Sequence, residues 1–183
     1  MERGPDQVRV EEIAEAAGVS PRTYNNYFAS REQAIVAAVT ADREARIAAA
    51  VAAGPAGLRL ADAVTEAVIE QYTNDGERER ERLLWITTRA TLCDAFLDAT
   101  AGIEAPLTAV LAERLGGGEP HTARVLAAST AAAVRIALEG WLRPAGTATG
   151  LVVPAGPLPE LLRAALAPLA PAYDAAEERA RPR

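Results

Sequence analysis

The feature that most constrains the fold of this chain is a succession of helix-favouring segments separated by glycine and proline. The segments are rich in alanine, and their apolar residues recur at the spacing of one helix face. Alternating runs of β-branched residues, which would predict strands, are absent from the sequence, and aromatic residues are scarce. The chain is therefore expected to be all-α.

Capping signals and helix breakers divide the chain into its expected helices. Ser20 precedes Pro21, a favourable residue for the first helical position. Ser30 and Gln33 have the spacing of a capping box, in which the side chain of each residue accepts a hydrogen bond from the backbone amide of the other. The charged tail from Asp174 is expected to fray. The expected helices cover about residues 10–17, 21–28, 31–53, 59–73, 83–99, 103–115, 121–142 and 159–169.

Composition indicates a soluble protein of the cytoplasm. Of the 183 residues, 50% are hydrophobic and 24% are charged, which is ordinary for a globular protein. The longest uncharged stretch, 144–159, is broken by proline and glycine, so no membrane span is expected. The single cysteine, Cys93, cannot form an internal disulfide, which fits a reducing compartment.

Residues 10–28 have the pattern of a helix-turn-helix. Val10, Ile13 and Ala17 lie on one apolar face of the first helix, and Gly18 is suited to end it in a left-handed conformation. Tyr24 and Phe28 stack on one side of the second helix, because they are four residues apart. The two short helices and the turn of about three residues between them predict a DNA-reading unit whose second helix enters the major groove.

The outer side of the second helix carries side chains that suit DNA contacts. The net charge of −6 argues mildly against nucleic acid, but residues 16–31 contain two arginines and no carboxylate. Asn can pair with adenine, Arg with guanine or phosphate, and Thr with the thymine methyl group. The alternative is that Asn25 and Asn26 are simply solvated helix surface. The residues expected to contact DNA are Ser20, Pro21, Arg22, Thr23, Asn25, Asn26, Tyr27 and Arg31.

The stretch V-x-V-E-E-I-A-E-A-A-G-V-S-P-R-T-Y-N-N-Y-F-A-S-R-E-Q-A-I resembles the DNA-binding region of the TetR (tetracycline-repressor) family of transcriptional regulators. Asn25 and Arg31 depart from the family pattern, which commonly has Tyr and Lys there. The matching positions are Ile13, Ala14, Ala17, Gly18, Val19, Ser20, Thr23, Tyr27, Phe28, Ser30 and Glu32.

The resemblance implies a homeodomain-like helix-turn-helix domain in residues 1–45 and a helical effector-binding and dimerisation domain in 46–183. It also implies a homodimer on a near-palindromic double-stranded DNA operator, a small-molecule effector, and repression as the usual outcome. Members of the family begin with a further helix, and 1–4 resembles only the end of it. The expectation is that this first helix is lacking and that DNA binding is weak. The alternative function is a helical ligand-binding or dimerising protein that has lost DNA binding.

The remaining residues contain no constellation expected of an enzyme, a metal site or a cofactor site. His121 is the only histidine and is expected on the surface, whereas Cys93 is expected to pack in the interior. The glycines at 116–118 follow a helix and lack the Lys-Ser/Thr of a phosphate loop. A small all-helical enzyme is the weaker alternative to a regulator.

Large side chains among many alanines predict an effector pocket in the C-terminal domain, where Arg89 could pair with an anionic group. The alternative is that these residues are ordinary core. The candidate lining residues are Tyr72, Trp85, Thr88, Arg89, Leu92, Phe96, Ile136 and Trp141. The small residues of helix 121–142, together with helix 159–169, are expected to form the homodimer interface about a twofold axis. Burial inside a monomer core is the alternative for these two helices.

Overall fold

A computed structural model describes residues 14–15, 18–55, 57–73, 90–117, 120–142 and 156–181. These residues form helices joined by turns, with no strand among them. The all-α expectation is therefore confirmed. The helices are α1 (Pro21–Tyr27), α2 (Arg31–Ala53), α3 (Leu60–Thr73), α4 (Ala90–Ala99), α5 (Glu104–Arg114), α6 (Pro120–Leu142), α7 (Leu158–Leu166) and α8 (Ala170–Ala180). Short 3-10 helices, Thr100–Ile103 and Ala167–Leu169, precede α5 and α8.

Helix α2 connects the N-terminal unit to the rest of the protein, and side chains hold both of its ends. At its start, Ser30 Oγ accepts from the amide of Gln33 at 3.0 Å, and Gln33 Oε1 accepts from the amide of Ala29 at 2.6 Å. At its end, Arg114 Nη1 donates to the carbonyl oxygens of Val51 and Gly54 at 3.3 and 3.2 Å. Since the helix continues without a break through residue 45, the expected boundary between two domains there stays a prediction.

The core lies where α2 packs against α3, α4 and α5, and continues where α6 packs against α5 and α7. One face of α2 supplies a buried stripe at helical spacing, made of Val36, Thr40, Arg43, Ile47 and Val51. Four of these five residues are small or apolar, whereas Arg43 places a guanidinium in the same row. The stripe is what fixes α2 against the core.

The C-terminal tail does not fray, and that expectation is wrong. Tyr173 in α8 is 2% exposed, and its hydroxyl lies 2.7 Å from the hydroxyl of Thr130 in α6. Arg59 Nη2 contacts Asp174 Oδ2 at 2.6 Å, and a carboxylate oxygen of Glu177 accepts from the amide of Leu60 at the start of α3. These contacts dock α8, but their partners are too distant in sequence for the local composition of the tail to reveal them.

Two helical stretches, Ala90–Arg114 and His121–Leu142, are long and apolar enough to cross a membrane, with mean hydropathies of 1.3 and 1.4. Leu107 in the first stretch and Val134 in the second are buried against neighbouring helices, whereas Val125 and Ile136 in the second are exposed. Packing in the core therefore accounts for part of the apolar composition of these two stretches.

Candidate nucleic-acid interface

The turn before α1 has the hydrogen bonding of a Schellman motif, which ends a helix. The amide of Gly18 donates to Glu15 at 3.0 Å, and the amide of Val19 donates to Ala14 at 2.9 Å. Gly18 has φ of +69°, a conformation that is costly for residues with a Cβ atom. The turn directs the chain into Ser20, which is extended and begins the next helix.

Ser20 and Thr23 together organise the first turn of α1. Ser20 Oγ accepts from the amide of Thr23 at 3.0 Å, and the two hydroxyl oxygens lie 2.8 Å apart. Pro21 occupies the first turn, where its missing N–H group is not needed. These residues position α1, and the hydroxyl and carbonyl oxygens of Ser20 already form hydrogen bonds within the protein.

Helix α1 separates an inner aromatic side from an outer polar side, as the sequence predicts. Tyr24 is 4% exposed, and its ring centroid lies 5.3 Å from that of Phe28. Arg22, Asn25 and Asn26 are exposed on the outer side, where their spacing of three and four residues places them on one face. This face presents one guanidinium and two amides to solvent, the groups that read base edges.

The two flanking residues of the predicted interface differ in exposure. Tyr27 is 76% exposed, so its hydroxyl is free to reach a phosphate oxygen. The side chain of Arg31 is only 25% exposed, and its Nη2 atom lies 3.6 Å from Glu32 Oε1. Of the predicted DNA contacts, the one assigned to Arg31 therefore receives the least support from the structure.

Tyr24 carries a buried hydroxyl that has no hydrogen-bond partner among the described residues. Burial is the main cause of its raised pKa, and the carboxylate of Glu32 raises the pKa further. The phenol is therefore neutral at physiological pH and still lacks a partner, a situation that costs about 1–3 kcal/mol. Tyr173 is the opposite case, because its buried hydroxyl bonds to Thr130.

The contrast between these two tyrosines gives a prediction for one chemical change at two sites. We expect Tyr24→Phe to leave the free energy of unfolding unchanged or to raise it by about 1 kcal/mol, because it removes an unsatisfied group. We expect Tyr173→Phe to lower it by about 1 kcal/mol, because it removes a satisfied one. Urea unfolding of the two variants measures both values, and equal destabilisation of the two would contradict the assignment of the Tyr24 hydroxyl.

The predicted effector-pocket residues divide into three groups. Tyr72, Leu92 and Phe96 are buried together in the core, and Trp141 is partly buried at its edge. Ile136 is 65% exposed on α6, so the structure does not bring it together with the buried candidates, and its place in a pocket stays a prediction. The physical reason is that Ile136 lies on the helix face opposite the buried Val134 and Leu138. Trp85, Thr88 and Arg89 lie outside the described residues.

Arg43 is the residue at this candidate pocket that sequence reasoning missed. Its guanidinium carbon lies 4.8 Å from the ring centroid of Tyr72 and 5.8 Å from that of Phe96, and the residue is 1% exposed. Its Nε atom donates to the carbonyl of Gln71 at 3.2 Å. Burial raises the pKa of Tyr72 to about 12, so this ring stays neutral beside the cation. The available signal was the position of Arg43 in register with Val36, Ile47 and Val51.

Helix α6 has a second, solvent-exposed face that is small and apolar. Val125 and Ile136 are 62% and 65% exposed, and Ala132 is exposed between them. These three residues define what we call the outer face of α6. The opposite side of the same helix is buried against α5 and α7.

The described residues contain no group of three or more His, Cys, Asp or Glu side chains that could hold a metal ion. His121 is exposed at the start of α6, and Cys93 is buried in α4. Among the described residues, neither side chain belongs to a group that could hold a metal ion.

The fold and the interface define a class, that of all-helical proteins that present an N-terminal helix-turn-helix to DNA. Residues 1–38 match a family model described as "Bacterial regulatory proteins, tetR family". This match covers the turn, α1 and the first part of α2, and it supports a DNA-binding region of the TetR type in this N-terminal part of the chain. A search of curated proteins found no relative that matches the chain.

Proposed function

We propose that the protein is a ligand-responsive repressor that binds a near-palindromic operator as a homodimer in the cytoplasm. The observation that supports it most is the outer side of α1, where Arg22, Asn25 and Asn26 are exposed while Tyr24 is buried behind them. Ser20 caps the start of this short helix, and Tyr24 and Phe28 pack behind it. The helix can therefore enter the major groove with its amides and guanidinium facing the base edges. Tyr27 then supplies a phosphate contact that positions the helix.

The outer face of α6 supports the homodimer. Val125, Ala132 and Ile136 expose apolar surface that a second copy of the same face would cover, and small residues allow two helices to approach closely. Helix α7, which packs on α6, remains the second helix of the proposed interface. A twofold axis here would present two α1 helices to successive major grooves of a near-palindrome.

The response to a ligand is assigned to the region around Tyr72, Phe96 and Arg43. A buried guanidinium between two aromatic rings suits an aromatic or anionic effector, and Arg43 belongs to α2, whose first turn follows the DNA-reading helix. An effector that favours one position of α2 would change operator affinity. That change cannot exceed the preference of the effector for the non-binding state.

DNA binding measured on variants of the outer side of α1 tests the proposal. Arg22→Ala and Asn26→Ala should each relax sequence preference by about 1–3 kcal/mol per lost base contact, whereas Arg31→Ala should weaken binding evenly and flatten its salt dependence. The assay is a gel shift, at stated salt, against DNA flanking the gene of this protein.

Arg179→Ala is the matched control for these variants, because it removes an exposed charge from α8, far along the chain from α1. It should change neither sequence preference nor the salt slope. If the folded dimer prefers no genomic fragment over random duplex, the proposed function is rejected.

A further inference from the structure

A cavity of about 370 Å³ lies between the DNA-reading unit and the core. We call it the junction cavity. One wall comes from Tyr27 and Phe28 at the end of α1, a second from Thr40 and Glu44 in α2, and a third from the segment around Gly102 after α4. The volume lies near the lower end of the usual range for small-molecule sites, so it would suit a compact ligand.

Glu44 gives the junction cavity its charge. Its side chain rests against Gly102 so closely that a Cβ atom on the glycine would overlap the carboxylate group. Burial raises the pKa of this carboxyl, and the neighbouring Arg43 cation opposes the shift without cancelling it, which is consistent with a partly dehydrated carboxylate. None of the ion pairs described between residues of the structure involves Glu44, whereas Asp98, the other acid of the lining, lies 2.7 Å from Arg135 Nη1.

The rest of the lining is mostly uncharged. Tyr27 and Phe28 contribute aromatic rings, and small residues such as Ala99 leave the space open. A carboxylate with incomplete hydration is stabilised by a cation that can form charge-assisted hydrogen bonds, and aromatic faces also attract cations. A ligand that pairs with the carboxylate of Glu44 and packs against the two aromatic rings would have a planar cationic group at one end and an apolar body.

We propose that the junction cavity binds a compact organic cation of the amidinium or guanidinium class, which pairs with Glu44 and packs against Tyr27 and Phe28. Because the ligand would contact α1, α2 and the end of α4 together, its binding would hold the DNA-reading unit in one position relative to the core. The lining of this cavity includes none of Arg43, Tyr72 and Phe96, although Glu44 is the neighbour of Arg43 in α2 and interacts with it electrostatically. Cation binding by the junction cavity does not depend on the proposed function, whereas an effect of the cation on DNA binding rests on it.

Calorimetric titration of the full chain with benzamidine, and with benzamide as its neutral counterpart of the same shape, tests the site. We expect benzamidine to bind saturably at millimolar concentration, and benzamide to bind at least about tenfold more weakly, because hydrogen bonds between charged groups are stronger than those of a neutral amide. This comparison uses the unaltered protein, so it does not depend on whether a variant folds. Absence of saturable benzamidine binding, or equal binding of the two compounds, overturns the proposal.

Substitutions then locate the site. Glu44→Gln should weaken benzamidine binding roughly ten- to hundredfold, and Gly102→Ala should weaken it by displacing the carboxylate. Glu70→Gln is the matched control, since Glu70 lines a different groove, between α3 and α7, and its loss should change nothing. Unchanged benzamidine affinity in Glu44→Gln also overturns the proposal.

The coupling to DNA has a separate measurement. Benzamidine should bind with different affinities to the free protein and to the protein saturated with operator, and reciprocity requires an equal change in operator affinity. Equal benzamidine affinities overturn the coupling. A failure to find any operator counts against the proposed function and not against the site, because the calorimetric titrations contain no DNA.

Discussion

Arg43→Ala is expected to lower the free energy of unfolding by about 3–5 kcal/mol, the range found when a large buried side chain is truncated. Three losses act together. The guanidinium no longer stacks on Tyr72 and Phe96, the carbonyl of Gln71 loses a donor, and a cavity opens in the middle of the buried stripe of α2. Urea or thermal unfolding followed by circular dichroism measures the change.

Arg46→Ala is the matched control for this substitution. Arg46 lies on the same helix, and its Nε atom donates to Gln71 Oε1 at 2.7 Å. Because Arg46 is exposed, its removal should lower the free energy of unfolding by less than about 1 kcal/mol. Arg43→Lys keeps the charge but not the planar group, and it should fall between the two. If Arg43→Ala is no more destabilising than Arg46→Ala, the buried guanidinium does not contribute to the core as described.

If the proposed homodimer forms through the outer face of α6, Ile136→Glu is expected to convert it into monomers while leaving the fold of each chain intact. A twofold axis on the outer face of α6 would bring the two new carboxylates together in apolar surroundings. Like charges placed against each other at an interface cost several kcal/mol, which corresponds to a dissociation constant raised about a hundredfold or more. Sedimentation velocity over a range of protein concentrations measures this shift.

Ala109→Glu introduces the same charge on the exposed side of α5 and serves as the control. It should leave the dimer unchanged. Ala109→Glu should unfold at nearly the same denaturant concentration as the original protein, because surface substitutions usually change stability by no more than about 0.5 kcal/mol. Ile136→Glu should unfold at a lower denaturant concentration, because association of folded chains adds to apparent stability and this variant loses it. A dimer of undiminished affinity in Ile136→Glu would place the interface elsewhere.

Much of the fold follows from local sequence because the signals involved act over a few residues. Ser20 and Ser30 were expected to begin helices, and both hydroxyls accept the amide hydrogen bonds that their positions predict. The predicted bounds of α2 coincide with those observed, from Arg31 to Ala53. The division of α1 into a buried Tyr24 and exposed asparagines also followed from spacing alone.

The parts that sequence reasoning missed depend on contacts between distant segments. The tail was expected to fray because its residues are charged, but Asp174 and Glu177 find partners at the start of α3. Arg43 was not expected in the core because arginine is rarely buried, and only its place in a helical row of apolar residues indicated otherwise. Ile136 was assigned to a pocket by its type, although its orientation depends on which face of α6 the other helices cover.

The bonds from Arg114 to the last carbonyls of α2 determine how that helix can move. Sliding along its own axis would break both bonds, whereas tilting about that end would preserve them. Arg31 lies roughly 30 Å from Val51 along the axis, at about 1.5 Å per residue, so a tilt of about 3° at the fixed end displaces the opposite end by about 1.5 Å. A tilt too small to disturb the packing near Val51 would thereby displace the start of α2 by enough, under the proposed function, to move the amides of α1 out of line with the base edges.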